Sequence, residues 1–256
     1  MHKDPSTTGA AKYPRAPLDF YPSPPRTVQS LIDVIEDDLP SFKFWEPFCG
    51  TGAFSKPIAD LALESVSTDI RAYEGFDPDG LFDFFAIKPS RILQDEVHYT
   101  DHEDDFDVKT IFRPEKADDA VITMADIANL KGFMPDAIIT NPPYTGKVPD
   151  GVYKSGKKKG EPKFKTIDLA GNAARHALKL MEAQKGIVIF LCRHEWDAAK
   201  SRRDLFDHPA FAMKITLRHR PRWIEGSEGA PRFPYAYFVW NWARPIAAKP
   251  ELIYVA

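Results

Sequence analysis

The segment Phe42-Lys43-Phe44-Trp45-Glu46, followed by Pro47-Phe48-Cys49-Gly50-Thr51-Gly52-Ala53-Phe54, constrains the fold of this chain more than any other stretch. An aromatic-rich strand ends in a carboxylate, a Gly-x-Gly turn follows, and the pattern from Phe54 to Glu64 predicts a helix. Glycine tolerates positive φ and lets a ligand come close to bare backbone. Strand, glycine turn and helix in that order make a nucleotide-type site at the carboxyl end of a parallel strand. The turn is not a phosphate loop, because it lacks the third glycine of GxGxxG and has no GK[ST]. Glu46 beside it suits a ligand carrying amino groups better than one carrying phosphates. About 20 residues on, Ser65–Asp69 reads as a second strand whose final Asp69 stands where an acid binds ribose hydroxyls.

The rest of the chain repeats the alternation. Val28, Leu31, Ile32, Ile35 and Leu39 give Pro25–Leu39 a helical period. Strands are predicted at Phe42–Glu46, Ser65–Asp69, Ala120–Met124, Ala137–Thr140 and Gly186–Leu191, with a helix from Ile167 to Met181. The expected fold class is α/β, a mostly parallel doubly wound sheet, closed by an antiparallel hairpin of Phe211–Leu217 and Tyr235–Asn241. Hydrophobic residues at 43% and charged residues at 28% fit one globular domain over residues 1–256, with Met1–Pro17 as a loose polar arm. No run approaches the roughly 20 apolar residues of a membrane span. Cys49 and Cys192 form no disulfide framework, so a reducing, cytoplasmic setting is expected. The acidic run Asp101–Asp107 lacks the spacing of a calcium loop and His194-Glu195 lacks that of HExxH, so no metal is expected.

A second motif, Asn141-Pro142-Pro143-Tyr144, follows the apolar run Ala137-Ile138-Ile139. Asn-Pro also opens ordinary turns. Yet an amide, two prolines and an aromatic also make a trap for a flat base bearing an amino group. The Asn141 side-chain oxygen accepts one amino hydrogen, and the prolines fix φ so that the Pro142 carbonyl takes the second. Tyr144 offers a face for stacking. Two acceptors on one amino group localise its lone pair, as attack on a methyl donor requires.

Net charge is −3, which by itself argues against a polyanionic partner. The distribution reverses that impression. Residues 1–140 hold 13 Lys+Arg against 26 Asp+Glu (−13), and residues 141–256 hold 21 against 11 (+10). Such asymmetry points to nucleic-acid contact. Residues 145–165 hold seven lysines among glycines and prolines and are expected to form a mobile basic loop at the lip of the base pocket. Lys147, Lys157, Lys158 and Lys159, with the separate group Arg218, Arg220 and Arg222, are the candidate phosphate contacts.

Glu-Pro-Phe-Cys-Gly-Thr-Gly-Ala-Phe and Asn-Pro-Pro-Tyr, in this order and about 90 residues apart, resemble the S-adenosylmethionine-dependent amino methyltransferases, above all the DNA adenine-N6 methyltransferases. Asp19-Phe20-Tyr21-Pro22-Ser23-Pro24-Pro25 is similar to the motif those enzymes place before the first strand. Arg222-Trp223 and Tyr235–Trp240 resemble the ending of a compact bacterial and phage-type subgroup. The likeness covers most of the chain and breaks at residues 75–119, which look inserted, and at 145–165. It implies a Rossmann-like class I methyltransferase fold with S-adenosylmethionine as cofactor. Phe20, Tyr21, Pro22, Glu46, Phe48, Gly50 and Gly52 would surround the methionine part and Asp69 the ribose. Asp126, with Asp83 as its rival, would accept from the cofactor adenine, with Ile127 on its ring. Catalysis would fall to Asn141, Pro142, Pro143 and Tyr144, acting on an adenine flipped from double-stranded DNA. Other amino acceptors (an RNA base, cytosine N4, protein glutamine) stay open, as does a non-catalytic nucleic-acid-binding module. With only 145–165 and about 192–235 left for reading DNA, sequence preference is expected to be short or relaxed.

Overall fold

The structure is a computed structural model that describes residues 21–89, 121–224, 226, 230–245 and 248–256. Phe20, the Met1–Pro17 arm and the acidic run at 101–107 lie outside the described residues.

An eight-stranded sheet forms the centre. β1 (Lys43–Glu46), β2 (Glu64–Asp69), β3 (Gly80–Leu81), β4 (Ala137–Thr140) and β7 (Ile187–Arg193) run parallel; β9 (Tyr235–Asn241) runs against β7 and β8 (Phe211–Leu217), and β10 (Glu251–Val255) pairs parallel with β8. The order is β10-β8-β9-β7-β4-β1-β2-β3. The sheet is mostly parallel, with the reversed strand β9 near one edge. Chain order turns back between β1 and β4. In an open α/β sheet the crevice at the carboxyl ends of those two strands is where ligands bind.

The central strands read as unbroken apolar runs because both of their faces are covered. On one side Trp45, Ile138, Val188, Phe190, Phe238 and Trp240 pack against α3 (Met124–Lys131) and α4 (Leu169–Met181). On the other, Phe44, Ile139, Ile189, Leu191, Tyr237 and Val239 pack against α1 (Pro25–Ile35) and α2 (Ser55–Ala59). Neighbours in sequence therefore serve opposite layers, as the period of two requires. α1 turns Val28, Leu31, Ile32 and Ile35 to the sheet, and α4 meets it through Ala170, Ala173, Ala174 and Ala177, whose small side chains allow close approach.

Four expectations need correction. Ala120–Met124 is not a strand: Thr123 makes one bridge to Lys88 and caps α3, which begins at Met124. The helix after the glycine turn stops at Ala59, since the chain must return for the amides of Leu63 and Glu64 to reach the Phe42 carbonyl, and Glu64 already belongs to β2. Ile167 and Asp168 end a strand rather than start α4. That strand, β6 (Pro162–Asp168), pairs antiparallel with β5 (Thr145–Val152), so residues 145–165 form a β-hairpin instead of an unstructured loop. Val148 and Ile167 bury one face of the hairpin together with Leu169 and Phe85, which is what the lysine-rich composition concealed.

Candidate active site

A cavity opens at the switch point. Glu46, Phe48, Gly50 and Asp69 line it from the β1 and β2 side, Asn141, Pro142 and Pro143 from the end of β4, and Tyr21, Pro22 and Ser23 from the segment before α1. The first expected cofactor loop and the Asn-Pro-Pro segment therefore share one space. Among the described residues, no Lys, Arg or His lines it.

Glu46 ends β1 and is 2% exposed. Ser55 donates its backbone N–H (2.7 Å) and its hydroxyl to Glu46 Oε2. Burial drives the Glu46 carboxyl well above the ordinary carboxylate range against the pull of those two donors, with nearby Asp69 adding to the rise. Asp69 accepts from Gly50 N–H at 2.9 Å through Oδ2 and from Ile70 N–H at 2.7 Å through Oδ1. It thus ties the glycine turn to the end of β2. Its pKa is also raised, chiefly by burial, while the Gly50 amide hydrogen bond opposes the shift. Burial likewise pushes the Cys49 thiol far up, so it is held as a neutral thiol.

The glycine turn holds two positive-φ residues, Gly50 at 52° and Gly52 at 76°. Gly50 lines the cavity, but Gly52 does not. A Cβ on Gly52 would stand 2.6 Å from the Phe76 ring, so packing and φ, not ligand approach, demand glycine there. Asp126 also lies away from the cavity. It is exposed, and its Oδ2 accepts the Thr123 N–H (2.7 Å) and hydroxyl (2.9 Å), closing a capping box at the start of α3. Ile127 is fully buried in the core beside it. The rival Asp83 does line the cavity, accepts from Phe85 N–H at 3.0 Å, and has a pKa raised by burial.

Around Asp83 the structure adds residues that sequence reasoning passed over. Tyr73, Phe82, Phe84 and Phe85 form an aromatic wall, with Phe48 edge-on to Phe84 at 4.9 Å. Phe82, Phe84 and Phe85 belong to the stretch from residue 75 read as an insertion; its first part instead carries β3 and most of this wall. The signal was present in Phe82-Asp83-Phe84-Phe85, an acid flanked by rings, but no periodicity marked it.

Asn141 and Tyr144 are coupled. Tyr144 Oη lies 2.8 Å from Asn141 Oδ1 and 3.0 Å from the Leu191 carbonyl, so one hydroxyl hydrogen serves two acceptors. Asn141 Nδ2 points at the Tyr21 carbonyl, 3.4 Å away. The Tyr144 ring is half-buried, and burial raises the pKa of its phenol strongly. Its orientation is thereby anchored at the hydroxyl end.

The basic candidates sit at the same end of the sheet. β8 runs parallel to β7, because both oppose β9, so Arg218, Arg220 and Arg222 follow a strand end on the cavity side. All three are exposed; Arg218 covers Tyr254 at 5.2 Å and Arg220 reaches the Pro231 carbonyl at 3.4 Å. Lys147 is exposed on β5, and Lys157, Lys158 and Lys159 are exposed at the hairpin tip. Among the described residues no group of His, Cys, Asp and Glu is arranged to hold a metal ion, and no helix is long and apolar enough to cross a membrane.

No protein-family model and no curated protein matches this chain. Solved structures resemble it at low identity. A candidate RNA methyltransferase from Pyrococcus horikoshii aligns over 90% of each chain at 13% identity and a TM-score of 0.48. A candidate class I S-adenosylmethionine-dependent methyltransferase from Listeria monocytogenes aligns over 90% of this chain and 62% of its own, at 11% identity and a TM-score of 0.42. A modification subunit of a candidate type I restriction enzyme from Vibrio vulnificus aligns over 91% of this chain and 45% of its own, at 11% identity and 0.45. At such identities and scores the likeness assigns no activity to this chain.

Proposed function

We propose that this chain transfers a methyl group from S-adenosylmethionine to the N6 amino group of an adenine turned out of DNA. One observation carries the reading: Asn141-Pro142-Pro143 and the acid-lined glycine turn face the same cavity, so an amine acceptor and a donor-binding loop adjoin. The lining fits the cofactor by its chemistry. Among the described residues, Glu46, Asp69 and Asp83 are its carboxylates, aromatic rings wall it, and no cationic side chain lines it, which favours a cationic, amino-bearing ligand over a phosphate.

When bound, the cofactor supplies an electrophilic methyl group on a sulfonium. Glu46 and the Tyr21-Pro22-Ser23 segment hold its methionine end, with Phe20 expected beside them. Asp69 holds the ribose. Asp83 takes the adenine amino group in preference to Asp126, whose carboxylate is committed to a helix cap. The Phe84 and Phe85 rings, rather than Ile127, cover the adenine.

The target adenine is hidden in the duplex, and turning it out costs a few kcal/mol. Stacking on Tyr144 returns about 1–3 kcal/mol. Asn141 Oδ1 has two lone pairs, so it accepts the base amino group while keeping the Tyr144 hydroxyl. The Pro142 carbonyl accepts the second amino hydrogen. These acceptors stabilise positive charge as it grows on nitrogen. The protein otherwise contributes position, holding nitrogen and methyl carbon about 3–3.5 Å apart. The neutral amine attacks first and loses its proton afterwards, so no strong base is required. Exposed lysines of the hairpin and the Arg218–Arg222 group supply the phosphate contacts.

The test is to incubate the protein with methyl-labelled S-adenosylmethionine and DNA, RNA and protein acceptors, then digest the labelled product. Label recovered in N6-methyl-2′-deoxyadenosine from DNA is the expected outcome. Label in another base or in glutamine overturns the substrate assignment.

A further inference from the structure

The β5–β6 hairpin does more than display lysines. Its register places Lys147 opposite Thr166 and Pro149 opposite Phe164, while Gly146 faces Ile167 and Val148 faces Lys165. Cross-strand partners share a face and faces alternate along a strand. Val148 and Ile167 are buried against Phe85, so theirs is the inner face and Lys147, Pro149, Thr166 and Phe164 share the outer one. Phe164 is 55% exposed, and among the described residues no other phenylalanine is exposed. It is flanked in sequence by Lys163 and Lys165.

An exposed ring on a two-stranded ribbon, with exposed Lys147 on the same face, invites a specific partner. A major groove admits such a ribbon, and apolar side chains, phenylalanine among them, enter between base steps as wedges. The ribbon starts at Thr145, directly after Tyr144, with no linker between them. From Tyr144 to Pro149, across from Phe164, the strand covers five steps of about 3.3 Å, roughly 16 Å. That exceeds the roughly 8.5 Å depth of the groove, so the ring reaches stacked bases while the ribbon root stays at the pocket. Extruding a base leaves a slot lined by two flat apolar faces, which a phenyl ring matches, while Lys147, exposed on the same outer face, supplies a charge for the adjoining phosphates.

We propose that Phe164 is the wedge that fills the stack vacated by the target base, carried by the β5–β6 ribbon. This rests on the reading of the chain as a DNA base methyltransferase. A wedge is needed only where a stack must be opened, and that separates it from a phosphate contact.

The test uses the full chain, labelled S-adenosylmethionine and unmethylated plasmid DNA, presented as intact duplex and as heat-denatured strands. Phe164→Ala should lower the initial rate on duplex about tenfold or more and leave the denatured-strand rate within about twofold. Phe164→Trp, which keeps a flat ring, should retain duplex activity, and thermal melting should not move for either variant because the ring is exposed. The salt slope of binding should also be unchanged by Phe164→Ala, since a phenyl ring neutralises no phosphate. Equal duplex rates for Phe164→Ala and wild type, or equal falls on duplex and denatured strands, overturn the wedge while leaving the methyltransferase reading intact. A wild-type protein that labels neither form overturns the activity itself and the wedge with it.

Discussion

At the scale of single residues, the hydroxyl of Tyr144 fixes the orientation of the Asn141 amide. With Tyr144 Oη and the Leu191 carbonyl fixed 3.0 Å apart, the phenol holds the Asn141 oxygen beside it and leaves the amide nitrogen to the Tyr21 carbonyl. Asn141→Ala removes that oriented acceptor and leaves the glycine turn untouched. Single-turnover methylation should fall by about 10²–10³, the usual loss for one such group, with cofactor affinity by calorimetry nearly unchanged. Glu46 gives a second test. Burial holds its carboxyl in the protonated form to higher pH than usual, and a cationic ligand favours the ionised form. Binding of S-adenosylmethionine should therefore release a proton and tighten as pH rises above the ordinary carboxylate range. Glu46→Gln should weaken binding and flatten that dependence; a slope that survives the substitution would contradict the assignment. Glu46 and Asp69 close strands and Asn141 directly follows one, which is why the sequence marked them as positions that line the cavity. Asp126 instead caps a helix, and a capping acid in Thr-x-x-Asp carries the same local signature as a cavity-lining acid such as Asp83.

At the scale of elements, legibility followed burial. Ala137–Thr140, Phe211–Leu217 and Tyr235–Asn241 form as predicted to the residue, because strands enclosed by the sheet show as apolar runs. The hairpin escaped notice for the converse reason. Its inward side is only Val148 and Ile167, and their partner Phe85 lies about sixty residues earlier in the chain. Lys157, Lys158 and Lys159 at its tip are exposed, so replacing all three by Gln should leave the fold unchanged. DNA affinity should weaken, and the log–log salt slope should drop by about 0.9 for each phosphate no longer neutralised. An unmoved slope would make the tip a bystander.

At the scale of the whole molecule, stability is tied to the cavity wall through His176 on α4. Its ring meets Phe84 edge-on at 5.0 Å, and its Nε2 is buried without a hydrogen-bond partner. Burial, helped by the Lys88 charge, lowers its pKa to about 4. Since an unfolded histidine takes up its proton near pH 6.5, the unfolded chain binds more protons than the folded one between about 6.5 and 4. Folding stability should therefore be undiminished by this group above pH 6.5 and fall as pH drops through that window, by up to about 3 kcal/mol. Denaturant melts of wild type and His176→Gln at pH 7 and pH 4.5 read the difference, and parallel losses in the two proteins would contradict it.

The direct joint between the Asn-Pro-Pro-Tyr segment and the hairpin has a mechanical meaning. Tyr144 is followed at once by the first residue of β5, while the root of the hairpin grips Phe85 in the cavity wall. The ribbon is thus a crank whose shaft is the Asn-Pro-Pro-Tyr segment: a load on the ribbon passes straight to Asn141. Its tip is free to vary in length and charge. A single residue inserted between Tyr144 and Thr145 would instead shift β5 against β6, whose root is held at the start of α4, and turn Val148 out of its contact with Phe85. Change in sequence is therefore tolerated at the tip of the ribbon and opposed at its base.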